Sequence, residues 1–148
     1  MTPLPPSFRR SLNGHVVAVF PRLSALADRI TVEPAMLDEA RFLAEAMAPH
    51  GIAPEVHVVG VEPTEAEIGE VRARAAAADA CILFLYDAHL YASNRALLDA
   101  LQGVARALAV VLMRDPYDAR FILPNIGSVT AFGWRRCQLD AALARLLA

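Results

Sequence analysis

Five short apolar runs alternate with amphipathic stretches from residue 15 onward. Short runs rich in β-branched and aromatic residues are typical of buried strands. The most hydrophobic of them, ACILFLY, is therefore expected at the centre of a sheet. The predicted strands are HVVAVF (15–20), EVHVVGV (55–61), ACILFLY (80–86), LAVVLM (108–113) and SVTAFG (128–133).

The stretches between these runs have the spacing or the end signals of helices. AMLDEARFLAEAM (35–47) places its apolar residues on one helical face. PTEAEIGEVRARAAAAD (63–79) has Thr64 three residues before Glu67, which is the signature of a capping box. Further helices are predicted over 93–107 and 138–148, with a short helical turn over 116–122.

Strands that alternate with helices and read as continuous apolar runs indicate a parallel sheet covered on both faces. The predicted fold is therefore an α/β three-layer sandwich with a mostly parallel five-stranded sheet and helices on both faces. Right-handed crossovers favour a flavodoxin-like strand order. Residues 15–148 are expected to form this domain. Residues 1–14, which are rich in proline and polar residues, are expected to be an N-terminal arm or linker.

Composition narrows the class of protein. A chain of 148 residues with 56% hydrophobic and 20% charged residues suits one compact domain. The net charge of −2 and the lack of a Lys/Arg block argue against nucleic-acid and anionic-membrane partners. No apolar run approaches the roughly 20 residues that span a bilayer. The start lacks the apolar stretch of a secretion signal, and the two separated cysteines suit a reduced protein, so a cytoplasmic location is expected.

Polar side chains follow the third and fourth predicted strands. Asp87 and His89 come after the third, and Arg114 and Asp115 come after the fourth. Ligands of open α/β sheets bind outside the carboxyl ends of the strands, and these two strands are expected to be neighbours. We therefore predict a ligand- or partner-binding site from these four residues.

The chemistry of that site has two interpretations. His89 and Asp87 could form an acid–base or metal pair. The alternative is a structural or interface role, which is favoured because the sequence shows no third metal ligand and no nucleophile. No GxGxxG or Walker loop, no GxSxG elbow, and no CxxC or HExxH zinc signature is present. The expectation is no catalytic residue, no metal and no cofactor.

The segment VVLMRDPYDARF also has a purely structural interpretation. Asp115 precedes a proline and is expected to be a helix N-cap. Asp118 then falls in the first turn, where the helix dipole favours a carboxylate. Tyr117 and Phe121 lie four residues apart and are expected to pack together. Only Arg114 has no structural role in this interpretation, so it is expected to point outward to a partner or ligand.

The corner GWRR near the last helix offers an aromatic residue beside arginines, a composition typical of interfaces. Trp134 and Arg135 are therefore expected to be exposed and to form an interface.

Three stretches of the chain resemble one known family. They are VEPTEAEIGEVRARAAAADACILFLYDAHL, AVVLMRDPYDARF and TAFGWRRCQLDAALARLL. Together they resemble the C-terminal domain of glycoside hydrolase family 3, especially that of bacterial two-domain β-N-acetylglucosaminidases. The resemblance covers roughly residues 15–147. Its most specific elements are Arg114 with the Pro116–Asp118 triplet, supported by the helix start at Thr64–Ile68.

The resemblance implies a function without chemistry of its own. In this family the catalytic residues belong to an N-terminal TIM barrel of about 250 residues, so none of them can be carried onto this chain. The implied function is a non-catalytic accessory domain that packs against or supports a TIM-barrel glycosidase domain, in cis or in trans, with carbohydrate as a ligand. The alternative is a stand-alone module that binds a small ligand or forms a homo-oligomer.

Overall fold

The computed structural model describes all 148 residues and contains one five-stranded sheet. The strand order is β2-β1-β3-β4-β5, and all four strand pairs are parallel. This is the predicted flavodoxin-like order. The strands are β1 (Val16–Pro21), β2 (Glu55–Val59), β3 (Ala80–Leu85), β4 (Leu108–Leu112) and β5 (Gly127–Thr130).

Helices cover both faces of the sheet, which confirms the three-layer prediction. Buried side chains of α1, α2 and α5 join one apolar core, and those of α3 and α4 join the other. β1 shows why both cores form: Val16, Ala18 and Phe20 face the first, whereas Val17 and Val19 face the second. The helices are α1 (Pro6–Ser11), α2 (Glu39–Met47), α3 (Glu65–Ala77), α4 (Ala92–Val104) and α5 (Arg136–Leu147).

Several predicted bounds are wrong by a few residues, and hydrogen bonds explain the clearest cases. The helix predicted over 35–47 is divided, because a 3₁₀ turn occupies Pro34–Leu37 and α2 begins after Asp38. The Asp38 side chain accepts a hydrogen bond from the backbone N–H of Arg41 and acts as the N-cap. The fifth strand, predicted to reach residue 133, ends at Thr130, although the Ala131 N–H still donates to the Leu112 carbonyl.

The capping box predicted at the start of α3 is confirmed. Thr64 Oγ1 accepts from the Glu67 N–H at 3.2 Å, and Glu67 Oε1 accepts from the Thr64 N–H at 3.0 Å. The second oxygen of Glu67 accepts from the Gly60 N–H at 2.9 Å. Glu67 therefore joins α3 to the residue that follows β2.

The predicted N-terminal arm lies against the sheet. Leu4 and Phe8 are buried in the first core, and Thr2 forms an antiparallel bridge with Ser128 of β5. Gly127 permits this contact, because a Cβ at that position would lie 2.5 Å from Leu4 Cδ2. The arm thereby covers part of the β5 edge.

The two cysteines differ in their burial. Cys81 is a buried free thiol whose burial raises its pKa to about 12, and Cys137 is a free thiol at the surface. None of the helices combines the length and the apolar character that crossing a bilayer requires.

Candidate functional site at the carboxyl edge of the sheet

Asp87 and Arg114 meet at the carboxyl ends of β3 and β4. Arg114 Nη1 donates to Asp87 Oδ2 at 2.8 Å. The Asp87 side chain is 2% exposed, whereas that of Arg114 is 53% exposed. The hydrogen bond to Asp87 and the attraction of its carboxylate raise the pKa of Arg114. Arg114 therefore does have a structural role, contrary to the sequence-based interpretation, and it keeps part of its guanidinium at the surface.

Asp118 holds the loop that follows β3. Its buried carboxylate accepts hydrogen bonds from the Ala88 N–H at 2.7 Å and the His89 N–H at 2.9 Å. His89 Nδ1 lies 2.8 Å from Asp118 Oδ1. The sequence predicted only a favourable place for Asp118 in the first helical turn. The structure adds a larger role, because this carboxylate fixes the backbone and the imidazole of the neighbouring loop.

The remaining residues of the segment divide between confirmed and wrong predictions. Asp115 is the N-cap of the 3₁₀ turn Pro116–Phe121, and its Oδ1 accepts from the Tyr117 N–H at 2.9 Å. Tyr117 and Phe121 do not stack on each other as predicted. The Tyr117 ring lies against that of His89, with centroids 5.6 Å apart, and Phe121 lies under the guanidinium of Arg95 at 3.9 Å.

The structure brings the four predicted site residues together. Asp87 and Arg114 form an ion pair. One potential ligand atom from each of Asp87, His89 and Asp115 lies within 4.8 Å of the other two. The sequence placed these residues at one edge of the sheet because their strands were expected to be neighbours, and β3 and β4 are indeed paired.

Trp134 is less exposed than predicted, while Arg135 is exposed. The indole Nε1–H of Trp134 donates to the Thr31 carbonyl at 2.8 Å, and its ring lies edge-on to Tyr86 with centroids 6.1 Å apart. Trp134 therefore contributes to packing beneath the edge, and Arg135 stays accessible. Their role in an interface remains a prediction.

Phe132 is a surface residue that the sequence reasoning missed. It has a positive φ of 59° and is 66% exposed. The Phe-Gly pair directly after an apolar run was the available signal, because a chain that turns at such a point often uses glycine. Phe132 lines an open groove of about 450 Å³ together with Arg114, Trp134, Arg135 and Gln138.

Three exposed apolar side chains lie at the same edge of the sheet as the polar cluster. Leu90 follows β3, Tyr117 follows β4 and Phe132 follows β5, and their exposed fractions are 61%, 65% and 66%. All three lie in the connections that follow the carboxyl ends of adjacent strands. We call Leu90, Arg114, Tyr117 and Phe132 the carboxyl-edge surface.

Two solved structures of glycosidases share the fold of this chain. One is a glycoside hydrolase family 3 β-N-acetylglucosaminidase from Paenibacillus sp. strain FPU-7, with a TM-score of 0.72 and 20% identity. The match covers 97% of this chain and 27% of that chain. The other is a fungal multi-domain β-N-acetylglucosaminidase of the same family, with a TM-score of 0.67 and 15% identity, over 92% of this chain and 14% of that chain.

The chain has the fold of part of these enzymes. It spans only 27% and 14% of their lengths. The fold that the sequence resemblance implied is thereby confirmed. No protein-family model and no curated protein sequence matches the chain.

The edge places a guanidinium, carboxylates and an imidazole side by side. Asp118 orients the His89 imidazole, as a carboxylate does beside a general base. None of the side-chain hydrogen bonds joins His89 to a hydroxyl or thiol that it could activate. The cluster thus consists of one guanidinium, two carboxylates and one imidazole, and that imidazole has no hydroxyl or thiol among its side-chain hydrogen-bond partners.

Proposed function

We propose that the chain is a non-catalytic accessory domain that packs against and supports a TIM-barrel glycosidase domain, in cis or in trans. The proposal is supported by how much of each chain the structural match covers: it includes 97% of this chain but only 27% of a β-N-acetylglucosaminidase. The remaining length of such an enzyme is ample for a barrel of about 250 residues. The assembled molecule would be a glycoside hydrolase that acts on β-N-acetylglucosaminides.

The carboxyl-edge surface supports this proposal as the docking face. Three large apolar side chains are exposed there around a charged cluster. Large apolar side chains that are exposed next to charged groups are typical of surfaces that a partner covers. Burial of Leu90, Tyr117 and Phe132 against a second domain would remove this apolar area from water, and Arg114 would offer its free guanidinium nitrogens to partner carbonyls or carboxylates.

An activity assay tests the non-catalytic part of the proposal. The purified chain is incubated with a chromogenic β-N-acetylglucosaminide, beside an active β-N-acetylglucosaminidase as the positive control. We expect no release of the chromophore above the buffer rate. Turnover that survives purification and disappears in Asp118→Asn would overturn the proposal, because it would assign the chemistry to this chain.

The groove beside Phe132 favours a second candidate, a module that binds a small anionic ligand. Two arginines, Arg114 and Arg135, line it next to an exposed phenyl ring. A guanidinium suits a carboxylate or phosphate, and an aromatic ring suits the apolar face of a sugar. If the chain is such a module, sugar phosphates or acidic sugars are expected to raise its melting temperature. Arg135→Ala is expected to abolish this rise, and Arg10→Ala is expected to leave it unchanged. The absence of a shift with every such ligand rejects it.

The remaining alternative is a module that associates with further copies of itself. The carboxyl-edge surface of one copy would then cover that of another, as in a two-fold dimer. Light scattering at two concentrations decides the matter. A mass that doubles at the higher concentration, and stays monomeric in Phe132→Ser, would favour self-association over docking to a barrel.

A further inference from the structure

Three metal-binding side chains converge at the carboxyl edge from two separate loops. Asp87 and His89 belong to the loop after β3, and Asp115 belongs to the loop after β4. One nitrogen or oxygen atom from each lies within 4.8 Å of the other two. Ligand atoms lie about 2 Å from a bound Zn²⁺. To share one cation, the three side chains would have to converge from separations of at most 4.8 Å.

The imidazole of His89 is oriented by a carboxylate at its Nδ1, which leaves Nε2 for a cation. The buried Asp118 carboxylate lies 2.8 Å from His89 Nδ1. A carboxylate only accepts hydrogen bonds, so the neutral ring carries its proton on Nδ1 and keeps a lone pair on Nε2. The same pairing of a carboxylate with the second nitrogen is the usual support of a metal-bound histidine. Two backbone N–H groups, those of Ala88 and His89, donate to the Asp118 carboxylate and hold it beside the ring.

Each carboxylate keeps one oxygen for a ligand. Asp87 Oδ2 accepts a hydrogen bond from Arg114, and Asp115 Oδ1 accepts one from the Tyr117 N–H. The other oxygen of each carboxylate accepts no hydrogen bond from the chain. Asp87 is only 3% exposed, and a buried carboxylate gains from each further positive partner. The Asp87 carboxylate can therefore bridge Arg114 on one oxygen and a cation on the other.

We propose that Asp87, His89 and Asp115 bind a divalent cation of the Zn²⁺ class. One imidazole and two carboxylates form a mixed nitrogen–oxygen set, which suits Zn²⁺ better than the all-oxygen preference of Mg²⁺ and Ca²⁺ or the sulfur preference of Cu⁺. Three protein ligands leave a fourth position for water or for a carboxylate of a partner. The Arg114 guanidinium opposes the cation at Asp87, so its charge lowers the affinity of the site.

Titration of the metal-free chain, residues 1–148, with Zn²⁺, followed by calorimetry, tests the site. The Cys137→Ser background removes the exposed thiol, which could bind Zn²⁺ by itself. We expect one saturable site. Loss of one ligand in His89→Ala or Asp115→Asn is expected to weaken binding by about tenfold or more, and Asp118→Asn by about 10- to 100-fold through the orientation of His89. His50→Ala, at an exposed histidine, is the matched control and is expected to bind like the parent.

Two further variants make the outcome decisive. Arg114→Gln removes the opposing charge and is expected to tighten Zn²⁺ binding, on the order of tenfold. His15→Ala reports on the other group in which histidines and a carboxylate meet, where His15 and His57 contact Glu55. Binding that is lost in His15→Ala and kept in His89→Ala overturns the proposal, as does the absence of saturable binding. The titration needs no barrel and no carbohydrate, so its result is independent of the docking proposal.

Discussion

Arg114 serves both the fold and the surface, because it pairs with the buried Asp87 and remains half exposed. Asp87 has a positive φ of 42°, a conformation in which Asp and Asn are more readily found than other side chains with a Cβ. Its carboxylate is buried, and Arg114 supplies the positive partner. A buried charge without a partner is costly, so the guanidinium stabilises the loop after β3.

Arg114→Ala is therefore expected to lower the free energy of unfolding by about 1–3 kcal/mol, because it leaves the Asp87 carboxylate unpaired. Asp87→Asn in the same chain is expected to restore most of that loss, since the amide is neutral and tolerates the positive φ. Urea denaturation of the two single variants and the double variant measures the coupling. Arg10→Ala, at an exposed arginine of α1, is the matched control and is expected to change stability by less than about 0.5 kcal/mol. Equal losses in the single and double variants would contradict the pairing argument.

At the scale of elements, α3 depends on one carboxylate at its first turn. Hydrogen bonds from the backbone at Thr64 lower the pKa of Glu67, and the bond from the Gly60 N–H acts in the same direction against the opposing effect of burial. A carboxyl with a lowered folded-state pKa stabilises the fold above its unfolded-state pKa, and this contribution is lost as the pH falls through the folded-state value.

Glu67→Gln is expected to lower the free energy of unfolding by about 1 kcal/mol near neutral pH, because an amide offers one acceptor oxygen where two are used. The difference from the parent is expected to shrink as the pH falls below the ordinary pKa of a glutamate, about 4.3, and through the lowered folded-state pKa of Glu67. Urea denaturation midpoints of the parent and of Glu67→Gln, determined over a series of pH values, measure this difference in stability. Glu65→Gln, in the same turn and exposed, is the control. A difference that stays constant down to low pH would show that the charge of Glu67 is not responsible.

The β5 edge depends on a close approach by the N-terminal arm. Gly127→Ala would place a methyl group 2.5 Å from Leu4 Cδ2 and 3.1 Å from Leu4 Cα. We expect a loss of about 1–3 kcal/mol, typical of overpacking, and faster hydrogen exchange at the Thr2 and Ser128 amides that form the bridge. Gly69→Ala is the control, because its Cβ would meet nothing within 4 Å and a helix gains about 0.5–1 kcal/mol from the exchange. Unchanged exchange at both amides in Gly127→Ala would contradict this account of the arm.

At the scale of the whole molecule, periodicity predicted the sheet and its order well. Apolar runs such as ACILFLY exist because both faces of a central strand are buried, so the composition of each run reports the architecture directly. The bounds were less predictable, because they depend on hydrogen bonds between distant residues. Ala131 and Gly133 still donate to carbonyls of Leu112 and Met113 after β5 has ended, so an apolar run alone could not locate the end.

The candidate site was predictable only where strand order determines it. Asp87, His89, Arg114 and Asp115 could be placed together because their strands are adjacent and parallel. The hydrogen bonds of Asp118 to the loop after β3 and the exposure of Phe132 depend on the path of loops, which periodicity does not encode. The apolar part of the carboxyl-edge surface was missed for the same reason.

We propose that the carboxyl edge docks a TIM-barrel glycosidase domain. Photo-crosslinking in the cells that naturally make the chain tests it most directly, with a photoreactive amino acid in place of Phe132 and, as a control, in place of the exposed His50. Mass spectrometry identifies the crosslinked peptides. We expect position 132, and not position 50, to crosslink to peptides of a TIM-barrel glycosidase, in the same polypeptide or in another. Crosslinks to such a barrel from position 50 alone, or from position 132 only to further copies of this chain, would contradict the account.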